Sequence, residues 1–168
     1  MRALRSIAAA ALAAAALSSA PVQAKTLAVA EPAEIFAAYQ MICLANPGNV
    51  DAQIAAAKAA PYNFTLAETT ADGSMRFEGE RLFAAMRKDD KNLFCMVGGR
   101  LAEGTTLETA SAAGAAVLDT KGARMTSTAT MVLWSDIKVK PTTIYMYTHT
   151  VQGPITIGSF LTGVNQNN

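Results

Sequence analysis

The chain has 168 residues, of which 51% are hydrophobic and 16% charged, and its formal net charge at pH 7 is +1. This length suits one domain with an ordinary hydrophobic core. The charge is too small for a basic nucleic-acid-binding surface, so we expect no nucleic-acid partner.

The first 24 residues have the features of a secretory signal peptide. Arg2 and Arg5 precede an apolar run over residues 7–17, and the segment closes on the small-residue pattern at 22–24. We predict cleavage after Ala24, which leaves a single secreted domain over residues 25–168 in the periplasm or outside the cell. The apolar run has about half the length that a transmembrane helix needs, so we expect no membrane span in the mature chain.

Both cysteines, Cys43 and Cys95, lie in the predicted mature chain. Because an exported chain enters an oxidising compartment, we predict that they form a structural disulfide. With these two cysteines and one histidine, the sequence cannot assemble a zinc site from four soft ligands. We therefore expect no metal and no cofactor.

Two helices are predicted near the start of the mature chain. Pro32 suits the first position of a helix whose apolar residues recur at helical spacing until about Asn46. Asn49 is placed to cap a second helix, and Pro61 lies just beyond its end. The two helices would form an N-terminal helical hairpin.

From Phe64 the pattern changes to strand-like segments. Turn residues separate them at 72–73 and again at 88–91, which predicts an antiparallel meander. The glycine pair Gly98-Gly99 is expected to end its last strand, because glycine weakens a strand interior.

A third helix and a second meander are predicted for the rest of the chain. Thr105 and Glu108 have capping-box spacing at the start of that helix. Three further strands are expected over residues 127–134, 142–151 and 155–161. The fold class is therefore α+β, an antiparallel sheet of about five to seven strands with the helical hairpin and one further helix packed on it.

The last 28 residues, after Lys140, contain no Lys, Arg, Asp or Glu. Exposed uncharged strands would promote edge-to-edge pairing. These strands must therefore be central in the sheet or covered by a partner.

Strand alternation divides the C-terminal side chains between two faces. We assign one face to the core, with Ala129, Met131, Leu133, Ile144, Met146, Ile155, Ile157 and Leu161. The other face carries a stripe that we call the aromatic stripe, comprising Trp134, Tyr145, Tyr147, His149 and Phe160. Aromatic rings spaced by hydroxyl groups suit a binding site for sugar rings or an apolar peptide. The alternative, which we prefer on general grounds, is a second buried layer with helices on both faces of the sheet.

These features favour an exported, non-catalytic protein that binds an envelope protein or a glycan through the aromatic stripe. A small cofactor-free envelope hydrolase is the alternative; it would use His149, the only histidine, or the carboxylate pair Glu78 and Glu80. We assign no catalytic residue, since the sequence has no nucleophile elbow, Walker A loop or zinc-protease motif. A third interpretation is a homodimer that pairs through the C-terminal strands.

Overall fold

The computed structural model describes the backbone of residues 26–88, 92–117, 124–135, 144–152 and 155–165, and the side chains of residues 26–87, 94–116 and 125–134. The predicted signal peptide, residues 1–24, lies outside these ranges.

Three α-helices occur in the described part of the chain: α1 (Pro32–Tyr39), α2 (Val50–Lys58) and α3 (Leu107–Val117). Helix α1 continues directly into a π-helical turn, Gln40–Leu44. Pro32 opens α1, and Asn49 caps α2 by accepting a hydrogen bond from Ala52 N at 3.0 Å. Both predicted helix starts are thus confirmed.

The cap of α3 differs from the prediction by one residue. The helix begins at Leu107, so the capping residue is Thr106 and not Thr105. The Thr106 hydroxyl accepts a hydrogen bond from Thr109 N at 3.1 Å, while the Thr105 hydroxyl donates to the carbonyl of Ala102. Thr105 therefore closes the preceding turn.

One antiparallel sheet contains all eight strands of the described residues, in the order β1-β2-β3-β4-β8-β7-β6-β5. The strands are β1 (Thr65–Thr69), β2 (Met75–Glu78), β3 (Leu82–Lys88), β4 (Asn92–Leu101), β5 (Arg124–Ser127), β6 (Met131–Ser135), β7 (Ile144–Gln152) and β8 (Ile155–Asn165). The α+β class is confirmed, but the strand number exceeds the expected five to seven. Strands β1–β4 and β5–β8 form two meanders, each preceded by a helix, that join where β4 pairs with β8.

Two strand predictions were wrong in detail. The single strand expected over 127–134 is the end of β5 and most of β6, because Thr128 N bonds to Met131 O at 2.8 Å and closes a turn between them. Strand β4 also continues through Gly98 and Gly99 to its end. A Cβ at Gly99 would lie 3.2 Å from Ala30 Cβ, so glycine here permits close approach of the N-terminal segment.

The helices pack on one face of the sheet, which we call the inner face. The strand residues of the main core cluster belong to this face, because register pairs Phe77 with Ala84, Ala84 with Val97, and Met86 with Cys95. They meet apolar residues of α1, the π-helical turn and α2, among which Phe36 and Ile42 are fully buried. The opposite face is the outer face.

The uncharged C-terminal strands are central in the sheet. Strand β8 pairs with both β4 and β7, and β7 pairs with both β8 and β6. Strand β8 is thus paired on both sides along nearly its whole length, and β7 is paired on both sides over residues 145–148, which satisfies the first of the two predicted arrangements. The edges of the sheet are β1 and β5.

The two cysteines connect the helical layer to the sheet. The Sγ atoms of Cys43 and Cys95 lie 2.02 Å apart, at disulfide distance, and their Cα atoms are 5.7 Å apart. Cys43 belongs to the π-helical turn and Cys95 to β4, and both are almost fully buried. The pair lies within the core, as expected of a structural bridge.

Candidate functional site

The strand positions of the aromatic stripe belong to the inner face of the sheet. Trp134 is only 2% exposed and belongs to the core, as does its strand neighbour Val132 at 3%. Register pairs Tyr145 with Trp134, and Tyr147 with both Val132 and Phe160. These positions therefore share the face on which the helices pack.

Two corrections follow for the predicted faces. Trp134 is unavailable as a surface binding residue, because the core encloses it. Met131 and Leu133, assigned to the core, are only partly buried and lie on the outer face, opposite Thr148 and Met146 in register. His149 pairs with Gly158 on the inner face, and the side chains of residues 145, 147, 149 and 160 lie outside the described ones.

The predicted carboxylate pair does not form. Glu78 is the last residue of β2 and makes a salt bridge with Arg76 at 2.7 Å. Glu80 lies beyond the strand end, after Gly79, whose N–H donates to Leu82 O at 2.9 Å in the β2–β3 turn. Residues two apart in a strand point to the same face, but the chain turns between Glu78 and Glu80. The two carboxylates are therefore not placed side by side by a common strand.

Glu80 instead lines a groove between α1, the α2–β1 loop and the β2–β3 turn. The groove has a volume of about 330 Å³, within the usual range for ligand pockets. Its lining residues are Glu34, Ala37, Pro61, Tyr62, Phe64, Glu80, Arg81 and Leu82. We call this the β2–β3 groove.

The α2–β1 loop supplies the aromatic wall of the groove. Tyr62 N donates to Ala59 O at 3.0 Å and Phe64 N donates to Ala57 O at 2.9 Å, so the loop folds back on the end of α2. The two rings become neighbours, with centroids 5.6 Å apart and planes tilted by 56°. A Cβ at Gly79 would lie 2.7 Å from the Phe64 ring, so glycine allows Phe64 to contact the β2–β3 turn.

An ion pair forms the polar wall. Arg81 in the β2–β3 turn contacts Glu34 Oε1 through its Nη2, and the other oxygen of Glu34 accepts the N–H of Glu31 at 2.9 Å as part of the capping box of α1. Both oxygens of this carboxylate are thus engaged. Burial raises the pKa of the Tyr62 phenol, so this ring is neutral at physiological pH.

The sequence contains little to signal this groove. Glu34 lies in the first turn of α1, and its pairing with Arg81 joins residues 47 positions apart. Only the sequence Pro61-Tyr62-Asn63-Phe64, with two aromatic residues directly after a helix end, marks the loop as unusual.

No group of three or more His, Cys, Asp or Glu residues suited to a metal ion occurs among the described residues. Within those ranges no helix is long and apolar enough to cross a membrane. The fold and the groove define an α+β protein with one helix-covered sheet face and an open cleft of ligand size. Comparison of the chain with protein-family models, curated proteins and solved structures finds no match.

Proposed function

We propose that this chain is an exported, non-catalytic binding protein that holds a component of the cell envelope in the β2–β3 groove. The groove supports the proposal by its ligand-sized volume and by an apolar lining that includes Tyr62 and Phe64 beside a few polar groups. The predicted signal peptide at residues 1–24 directs the chain to the periplasm or the exterior, and the Cys43–Cys95 pair is compatible with an oxidising compartment.

The groove takes the binding role that the sequence had suggested for the aromatic stripe. Both sites combine aromatic rings with hydrogen-bonding groups, the chemistry that suits sugar rings and apolar peptides. In the groove the partly buried Tyr62 ring borders an open cleft and Phe64, 5% exposed, packs behind it, whereas Trp134 of the stripe is enclosed by the core.

The hydrolase alternative relied in part on a pair of neighbouring carboxylates, and the described geometry does not support such a pair. Glu78 is engaged by Arg76, and Glu80 lines the groove on the far side of a turn. The His149 side chain, the other basis of that alternative, lies outside the described ones. We propose binding without bond cleavage.

Two variants on one helix test the groove. Ala37 is exposed and lines the groove, while Ala33 is exposed on the same helix and does not line it. Ala37→Leu fills part of the groove and Ala33→Leu serves as the matched control, and neither replaces a core residue. The measurement is a titration of the isotope-labelled, exported protein with a set of small sugars, amines, acids and neutral aromatics, followed by amide NMR shifts.

We expect saturable shifts at Tyr62, Phe64, Glu80 and Arg81, recovery of the ligand unchanged, weaker binding to Ala37→Leu and unaltered binding to Ala33→Leu. Shifts confined to other surfaces, equal binding by both variants, or conversion of the ligand to a product would contradict the proposal.

A further inference from the structure

We infer that the β2–β3 groove takes an organic cation, namely an ammonium or guanidinium group carried on an aromatic or aliphatic body. The inference rests on the proposed function and specifies its ligand class. Three features of the groove carry it: an unbalanced negative charge, an aromatic pair without a cation of its own, and an apolar surface beside both.

The charge balance of the groove is negative. Its ionisable side chains that carry charge at neutral pH are Glu34, Glu80 and Arg81. Arg81 contacts Glu34, so these two offset each other. Among the described residues the Glu80 carboxylate has no hydrogen-bond or ion-pair partner, and its side chain is exposed at the groove. An anion would meet this carboxylate as a like charge, whereas a cation would be attracted to it.

Other aromatic rings in the described chain already make the cation–π contacts that such a ligand could form. Lys58 Nζ lies 5.6 Å from the centroid of the Phe77 ring, and the Arg76 and Arg87 guanidinium carbons lie 4.4 Å and 5.2 Å from those of Phe83 and Phe94. The face of an aromatic ring attracts a cation at such distances.

The aromatic pair of the groove has no such neighbour. Tyr62 and Phe64 contact each other, and within the described part of the chain no Lys or Arg side chain lies over either ring. Phe64 is only 5% exposed and supports the pair from the core side, so Tyr62, which is partly buried, presents the accessible ring. Since Glu80 lines the same groove, an incoming cation can be placed between a carboxylate and the Tyr62 ring.

The remaining lining residues suit the body that carries the cation. Ala37, Pro61 and Leu82 offer apolar surface without further charge. A short aliphatic or aromatic segment can lie against them while its charged end points to Glu80. The volume of about 330 Å³ suits a small molecule or a single side chain.

Three probes of similar shape and different charge test the inference. Phenethylamine is the cation, 2-phenylethanol its neutral counterpart and phenylacetate an anionic one. A blocked lysine amide, compared with its Nε-acetyl form, tests whether a protein side chain supplies the same group. Binding to the exported protein is measured by calorimetry and by amide shifts at Tyr62 and Glu80, at low and at high ionic strength.

The variant is Glu80→Gln, which keeps the shape and removes the charge. Glu103→Gln is its matched control, because Glu103 is an exposed glutamate in the turn after β4 and does not line the groove. Thermal unfolding of both variants establishes that they fold. We expect phenethylamine to bind more tightly than the alcohol, and the acid to bind most weakly. Glu80→Gln should weaken the amine about two- to fivefold and leave the alcohol unchanged, and high salt should act in the same direction.

The outcomes separate the inference from the proposed function. If the alcohol or the acid binds in the groove as tightly as the amine, or if Glu80→Gln and Glu103→Gln bind the amine equally, the groove remains a binding site and its preference for cations is wrong. If no probe shifts Tyr62 or Glu80 up to millimolar concentration, but a sugar or another envelope component does, the cation inference alone fails. If nothing binds there, both proposals fail.

Discussion

Gly114 in α3 lies directly against Phe36 of α1. A Cβ at this position would lie 2.3 Å from two carbons of the Phe36 ring, and Phe36 on α1 is fully buried. Such a separation is far shorter than van der Waals contact. The hydrogen atom of glycine thus allows α3 to pack against α1.

We predict that Gly114→Ala destabilises the protein by about 1–3 kcal/mol, because the new methyl group overpacks the contact with Phe36. At an exposed helical position the same change would stabilise by about 1 kcal/mol. Urea unfolding measures the difference. In a Phe36→Leu background the loss of stability caused by Gly114→Ala should be smaller, since the smaller side chain leaves room. If Gly114→Ala alone stabilised the protein, the argument would be contradicted.

The helix caps show when the role of a single residue can be predicted from the sequence. Asn49 was predicted correctly because its side chain is a strong cap and no neighbouring residue competes for the role. At α3 two adjacent threonines compete, and the spacing of Thr105 and Glu108 favoured the wrong one. The choice depends on where the preceding chain turns, and Thr105 takes part in that turn.

At the scale of elements, a hydrogen-bonded carboxylate closes the β1–β2 hairpin. Asp72 accepts hydrogen bonds from the Thr70 hydroxyl, from Ser74 N at 3.1 Å and from Arg87 at 2.8 Å. These donors hold the pKa of Asp72 well below its ordinary range, the Thr70 hydroxyl having the largest effect. The hairpin is thereby linked to β3, the strand that carries Arg87.

We predict that Asp72→Asn reduces the pH dependence of stability in acid. Because the folded pKa is lowered, the contribution of Asp72 is fully present above its unfolded pKa of about 3.9 and is lost as the pH falls below that value. Thermal midpoints of both proteins between neutral and strongly acidic pH test this. The wild type should be the more stable at neutral pH, and the difference should narrow as the pH falls; a constant difference would contradict the assignment.

Element boundaries were predicted less well than element types. The turn between β5 and β6 contains only Thr128, Ala129 and Thr130, with no glycine or proline to mark it, and threonine also favours strands. Conversely, Gly98 and Gly99 resemble a strand end but lie inside β4, and at Gly99 the surrounding packing requires a small residue. At Gly99 a tertiary contact therefore overrides the local signal.

At the scale of the whole molecule, the sequence indicated which helices and strands the fold contains, but not the pairing of β4 with β8 that joins its two meanders. Local periodicity predicted helices and strands in nearly the right order. The pairing of β4 with β8 joins strands that a helix and three other strands separate, and no local pattern encodes such a contact. The inner face could not be assigned correctly for the same reason, since the position of the helices decides which of two apolar faces becomes the core.

The disulfide contributes to stability at this same scale, because it joins the helical layer to the sheet across 52 residues. We predict that replacing both Cys43 and Cys95 by alanine lowers the free energy of unfolding by about 2–4 kcal/mol, mainly because the unfolded chain is no longer constrained. Urea unfolding measures the loss. Thiol titration of the denatured, unreduced wild type should find no free thiol, and detection of two would refute the bridge.

The two edge strands of the sheet affect whether copies of the protein polymerise at high concentration. A copy that added β1 to the β5 edge of another copy would leave the same pair of edges free, so growth would continue as a filament without closing. The irregular register between Leu66 and Glu68 interrupts β1, and Glu68 adds a charge there, while β5 offers only four residues. These features oppose polymerisation, and removing the irregularity from β1 would weaken that protection.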